Sequence, residues 1–222
     1  MAIGTQQKRD TMIVVEPEYM SLSYRLKYQG VPDHRGYPET YPLTWQIDIS
    51  ADVFEDDEGD GEEHSIGSAV AHTVPDAGLI NLFDTLDAVD QELASFGEVL
   101  GIMRPDVLEE AGMTVFGGDL LILSNVEIKP DYQGQKLGHH VLHAVLETIG
   151  RNTDLVVLRA APLLEDDAPD ELPPEHEAAK AALRSYWESF GFIPVLKDDH
   201  GDYLVYFVGR DDDHDAGDSL PL

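Results

Sequence analysis

The stretch from Asp119 to Ile149 constrains the fold more than any other part of the chain. Asp119 to Ile128 (DLLILSNVEI) is the strongest strand signal, and Pro130, which cannot donate to a sheet ladder, ends it. A turn follows, Gln133-Gly134-Gln135-Lys136-Leu137-Gly138. The spacing of Leu137, Val141, Leu142, Val145, Leu146 and Ile149 predicts a helix over Gln135 to Ile149, stopped at Gly150. Leu155 to Ala160 reads as a buried strand. Strand, helix and strand in that order imply one parallel pair. The first turn of such a helix carries unsatisfied N–H groups and a partial positive charge, which suits phosphate. Gly134 and Gly138 let a ligand approach the backbone, although a tight turn alone also uses glycine there.

The preceding half alternates. Leu22 to Gln29, Leu43 to Phe54 and Ile66 to Val74 read as strands of an antiparallel meander, joined by loops at Pro32 to Pro42 and Glu55 to Glu63. Leu82, Leu86, Val89, Leu93, Phe96 and Leu100 predict one amphipathic helix over Asn81 to Leu100. A short helix over Asp106 to Ala111 starts behind Pro105 and stops near Gly112. After an acidic, Pro-rich loop from Leu163 to Pro174, His176 to Phe190 is a helix ended by Gly191. Phe192 to Leu196 and Tyr203 to Val208 then form a hairpin around Asp198 to Gly201. The expected class is α+β: a mixed, mostly antiparallel sheet with one parallel strand pair, flanked by helices. Residues 1–20 are expected to be an N-terminal extension, 21–209 one domain and 210–222 an acidic disordered tail.

Charge narrows the function classes. Asp and Glu number 44 against 14 Lys and Arg, a formal charge of −30 that repels nucleic acid and anionic membrane surfaces. The acids are spread along the chain, as in proteins of salt-loving organisms; attraction of a cationic substrate or partner is the other use of such charge. Without cysteine there is no disulfide, thiolate metal site or Cys nucleophile. No apolar run reaches the roughly 20 residues of a membrane span, and the polar start lacks a secretory signal, so a cytoplasmic location is expected. His139 and His143 lie at i, i+4 without a third ligand at motif spacing. They read as solvated helix histidines, and no metal is expected.

Two segments resemble the GNAT family of acyl-CoA N-acyltransferases. In that family a strand ends in Val-x-Pro, followed by Arg or Gln, two residues, Gly, one residue, and Gly or Ala at the opening of a long helix. This chain has Ile128-Lys129-Pro130 and then Gln133-Gly134-Gln135-Lys136-Leu137-Gly138. The family also has a helix ending in Tyr-Glu-x-x-Gly-Phe before a strand, matched here by Trp187-Glu188-Ser189-Phe190-Gly191-Phe192. The resemblance covers Asp119 to Val208 and reaches the earlier strands only by element order.

It implies a GNAT fold that binds acetyl-CoA. Backbone N–H groups of Gln133, Gly134, Gln135, Lys136, Leu137, Gly138 and His139 would hold the pyrophosphate, and Val126, Glu127 and Ile128 would pair with the pantetheine arm as an added strand. An amine then attacks the thioester directly, with no protein nucleophile. Three positions depart from the family pattern. Lys136 replaces the first motif glycine, and Lys180 stands where an Asn often contacts CoA, in place to meet a phosphate. Trp187 stands where many members have the Tyr that protonates the leaving thiolate. Tyr186 is the neighbouring candidate acid, against a core aromatic role; Ser124 is the candidate to hold a water that relays the amine proton, against plain packing. Ile122 cannot act as a base, and strand alternation predicts Glu127 on the face opposite Ser124, a solvated carboxylate.

The expected activity is transfer of an acetyl group to a primary amine, on a small molecule or a protein and favoured if cationic. A homodimer is expected by family analogy only. The alternatives are a GNAT-fold CoA-binding module with weak chemistry, and an acidic decoy that captures a basic partner.

Overall fold

The computed structural model describes residues 13–26, 42–54, 61–162, 174–196 and 202–209. The expected loops at 32–41, 55–60, 163–173 and 198–201 and the acidic tail at 210–222 lie outside them. Seven strands form one sheet: β1 (Met20–Leu26), β2 (Leu43–Val53), β3 (Glu62–Val74), β4 (Asp119–Ile128), β5 (Thr153–Arg159), β6 (Ile193–Pro194) and β7 (Tyr203–Phe207). Their order is β1-β2-β3-β4-β5-β7-β6. Every pairing is antiparallel except β4 with β5. That is the predicted meander plus one parallel pair, and it fits the GNAT fold.

Helices cover both faces. On one side lie α1 (Leu82–Asp87), α2 (Gln91–Gly97), α3 (Pro105–Glu110) and α4 (Met113–Phe116). Their Leu86, Leu93, Phe96, Val107 and Met113 pack on Leu120, Ile122, Leu155 and Val157. On the other side α5 (Leu137–Glu147) and α6 (Pro174–Glu188) bring Val141, Leu142, Val145 and Trp187 onto Leu121, Leu123, Val156 and Leu158. Both faces of β4 and β5 are buried, which explains their near-continuous apolar sequences. Each fully buried Leu or Phe contributes about 1.5–3 kcal/mol relative to exposure.

Three expectations need correction. Asn81 to Leu100 is not one helix: Asp90 is extended (φ −165°, ψ 169°), and its carboxylate accepts the Leu93 N–H at 2.7 Å, capping a new helix. A π-helical turn over Glu98–Met103 then replaces the last α turn. The apolar face itself stands, since Leu82, Leu86, Leu93, Phe96 and Leu100 are all buried. The second correction is the start of α5 at Leu137 instead of Gln135. Lys136 is its N-cap in the left-handed region (φ 58°, ψ 23°), so the turn takes two more residues.

The third concerns β4. Val70 pairs with Asn125 and Ala71 with Leu123, which leaves Ser124 as the extra residue of a β-bulge. The bulge flips the alternation. Leu123 lies opposite Ala71 and Val126 opposite Ala69, both core alanines on the α5 side. Glu127, opposite Ser68, therefore shares the other face with Ile122 and Ser124, not the face opposite Ser124.

Candidate active site

Strand β4 has a partner on β5 only as far as Leu123, paired with Leu158; β5 ends at Arg159 while β4 runs on to Ile128. The sheet therefore opens into a fork whose β4 edge, from Ser124 to Ile128, faces a groove. Two connected cavities occupy it. The larger, about 630 Å³, is lined by Tyr132, Gly134, Lys136, Gly138 and Tyr186 among others. The smaller, about 330 Å³, is lined by Ser124, Asn125, Glu127, Leu158 and Arg159 among others. Val126, Ile128, Gln133, Leu183 and Trp187 line both.

The larger cavity contains the opening of α5. Gly134 sits at φ 82°, with open space where a Cβ would be. Among the described residues the N–H groups of Gly134, Gln135, Lys136 and Leu137 have no hydrogen-bond partner. Two side chains of the turn are committed to the protein itself. Gln133 donates its Nε2 to the Ile128 carbonyl at 2.8 Å. Gln135 accepts the Val15 N–H at 2.8 Å and donates to the Ile13 carbonyl at 2.7 Å, pinning the segment before β1 beside the turn. Gln133 also donates its N–H to the Pro130 carbonyl at 3.3 Å, so of the two glutamines only Gln135 keeps an N–H for a ligand.

Tyr186 reaches the same turn. Its hydroxyl accepts the His139 N–H at 3.0 Å, and the His139 Nε2 meets the Tyr186 carbonyl at 3.0 Å. The His139 N–H is thus shared with Tyr186 and with the Lys136 carbonyl. Burial raises the Tyr186 pKa above its ordinary 10.0, partly offset by the N–H groups it accepts, so the phenol carries its proton at neutral pH. His139 is not the solvated helix histidine its spacing suggested: it is buried, its imidazole packed among Tyr186, Trp187 and Phe190, and that burial lowers its pKa. A Cβ on Gly138 would lie 2.6 Å from the Tyr186 hydroxyl, which explains that glycine better than backbone freedom does. Lys180 lies apart from both linings. Its Nζ is 2.7 Å from an Asp202 carboxylate oxygen and 3.6 Å from Glu177, and Asp202 leads the causes that raise its pKa.

At the smaller cavity the structure supplies a residue that sequence reasoning missed. His72 on β3 is 6% exposed and lies between Thr44 and Ser124. Its Nδ1 is 3.0 Å from Thr44 Oγ1, and its Nε2 is 3.1 Å from Ser124 Oγ. Burial pulls its pKa from 6.5 to about 4 against the raising effect of the Asp90 carboxylate, so it is neutral at physiological pH. The signal in the sequence was a His among core positions of a strand, with no spacing to link it to Ser124.

No family model and no curated protein sequence matches the chain. Among solved structures it is similar to a KacTA–DNA complex, at 13% identity and a TM-score of 0.36, over 84% of this chain and 93% of that one. It is also similar to a mutant AtaT toxin bound to the C-terminus of the antitoxin AtaR, at 10% identity and 0.33, over 84% and 92%. A third is a Drosophila melanogaster polyamine N-acetyltransferase, at 11% identity and 0.38, over 73% and 74%. Among the described residues no group of three or more potential ligands could hold a metal, and no helix is long and apolar enough to cross a membrane.

Proposed function

We propose that the chain is an acetyl-CoA-dependent N-acetyltransferase acting on a primary amine. The observation that carries this is the open fork between β4 and β5, with unpaired N–H groups at the start of α5 at one end and Ser124 at the other. The residues fit acetyl-CoA. A diphosphate needs several N–H donors without protein partners, and Gly134, Gln135, Lys136 and Leu137, unpartnered among the described residues, provide them, with the Lys136 ammonium adding charge. An extended polar arm needs an unpaired strand edge, and Val126 to Ile128 lie along one. Bound acetyl-CoA supplies the activated acyl group.

The chain's own residues then orient and exclude. N–H groups on the open β4 edge are donors for the oxyanion that forms on the thioester carbonyl. Trp187 and Leu183, at the meeting of the two cavities, keep water from the carbonyl. As the new C–N bond forms and the C–S bond breaks, Tyr186 is the protonated group available to the departing sulfur once its hydroxyl leaves the α5 terminus, and the proton shed by the amine nitrogen passes to solvent at the Ser124 end of the groove. The amine enters from the Ser124 side, and the net charge of −30 favours a cationic one. Isothermal titration with acetyl-CoA in high salt should give saturable one-site binding; no detectable binding contradicts the proposal. Binding without thiol release across a panel of amines leaves a CoA-binding module in its place.

A further inference from the structure

Three side chains from three adjacent strands form a line into the smaller cavity: Thr44 on β2, His72 on β3 and Ser124 at the bulge of β4. Without the bulge Ser124 would be an ordinary ladder residue. As the extra residue it has its hydroxyl 3.1 Å from His72 Nε2 and 3.3 Å from the Val70 carbonyl, while the residue still lines the cavity. We propose that His72 is a positioning residue: it takes the Ser124 hydroxyl hydrogen on Nε2, so that the serine oxygen turns its free lone pair to the groove and accepts an N–H of the attacking amine. This rests on the acyl-transfer function proposed above.

In this proposal the chain of donors has one direction: Thr44 Oγ1 accepts from Nδ1–H, and bare Nε2 accepts from Ser124, whose one hydroxyl hydrogen then goes to the imidazole at 3.1 Å in preference to the Val70 carbonyl at 3.3 Å. A neutral imidazole is required for this polarity, and burial keeps His72 neutral. An imidazole held so firmly neutral is a poor proton acceptor for an alkylammonium, so the geometry suits orientation better than proton abstraction. Held by Ser124, the amine keeps its lone pair free for the thioester carbon. Ser124 is then the residue that touches the acceptor, and His72 acts through it.

Two measurements decide the matter. Nitrogen-15 spectra of histidine-labelled protein at pH 7.5 should show His72 as the Nδ1–H tautomer, with the Nε2 resonance moved by Ser124→Ala. The Nε2–H tautomer overturns the proposal whatever the enzyme does. Thiol release is then followed with acetyl-CoA and putrescine, spermidine or a lysine-containing peptide. Ser124→Ala should lower kcat/KM for the amine about tenfold and leave acetyl-CoA binding unchanged. His72→Phe should do the same, Ser124→Thr should retain activity, and the double variant Ser124→Ala/His72→Phe should lose no more than either single one. Thr44→Val, which leaves His72 in place, should give a smaller loss and serves if His72→Phe fails to fold. Losses that multiply, or Ser124→Ala at full activity, overturn this role and leave the acyl-transfer function standing. A wild type that releases no thiol with any of these amines overturns both.

Discussion

Lys136 bears two opposed demands. It replaces a glycine of the motif yet adopts φ 58°, a conformation that costs a side-chain-bearing residue about 1–2 kcal/mol. Lys136 lines the larger cavity, and its charge toward a diphosphate is the proposed counterpart of that strain. Lys136→Gly should therefore raise stability to chemical denaturation by about 1 kcal/mol and weaken acetyl-CoA binding several-fold by titration. Gly138→Ala would bring a methyl group against the Tyr186 hydroxyl; it should cost about 1–3 kcal/mol in the same unfolding assay. His72 predicts a pH dependence. Its folded pKa of about 4 lies below the ordinary 6.5, so the unfolded chain binds more protons between those values. The corresponding stability is complete above pH 6.5 and lost as pH falls toward 4, about 3 kcal/mol in all. Unfolding curves of wild type and His72→Gln across that range should differ by this slope; parallel curves contradict it.

At the level of elements, the caps decide where periodicity misleads. The apolar spacing from Leu82 to Leu100 is continuous, yet Asp90 breaks the helix because its carboxylate satisfies the Leu93 N–H. Asp90→Ala should cost about 1 kcal/mol of stability, measured by denaturant midpoint. The strands of the meander and the parallel pair were legible because alternation and apolar runs report burial directly: β4 spans Asp119–Ile128 as its sequence predicts. The bulge at Ser124 was not legible, because DLLILSNVEI carries no glycine or other local mark of an extra residue. Its invisibility hid the shared face of Ser124 and Glu127, and the meeting of Ser124 with His72 across strands far apart in sequence. The glycine-containing turn before α5 was legible, since glycines before a helix have a local physical cause. The capture of Gln135 by Val15 and Ile13 was not, because it depends on how a distant segment packs.

For the molecule as a whole, a formal charge of −30 on 222 residues sets the conditions under which it works. Self-repulsion among carboxylates opposes the compact state, and salt shortens its reach from about 10 Å at 0.1 M to about 3 Å at 1 M. Thermal unfolding followed by circular dichroism should shift upward by roughly 4–8 °C between 0.1 and 1 M KCl, a gain of about 2 kcal/mol. A midpoint that stays or falls would mean that the acids are already paired by cations held in the fold. For the proposed reaction the same charge would act oppositely on the two reactants, drawing a cationic amine and repelling the CoA phosphates, so acetyl-CoA should bind more tightly as salt rises. The most direct test of the account follows the backbone amides by nitrogen-15 correlation spectra during an acetyl-CoA titration in 1 M KCl. The account predicts saturable shifts concentrated at Gly134 to Leu137 and along Ser124 to Ile128. Shifts absent from those two stretches, or gathered elsewhere on the molecule, would contradict it.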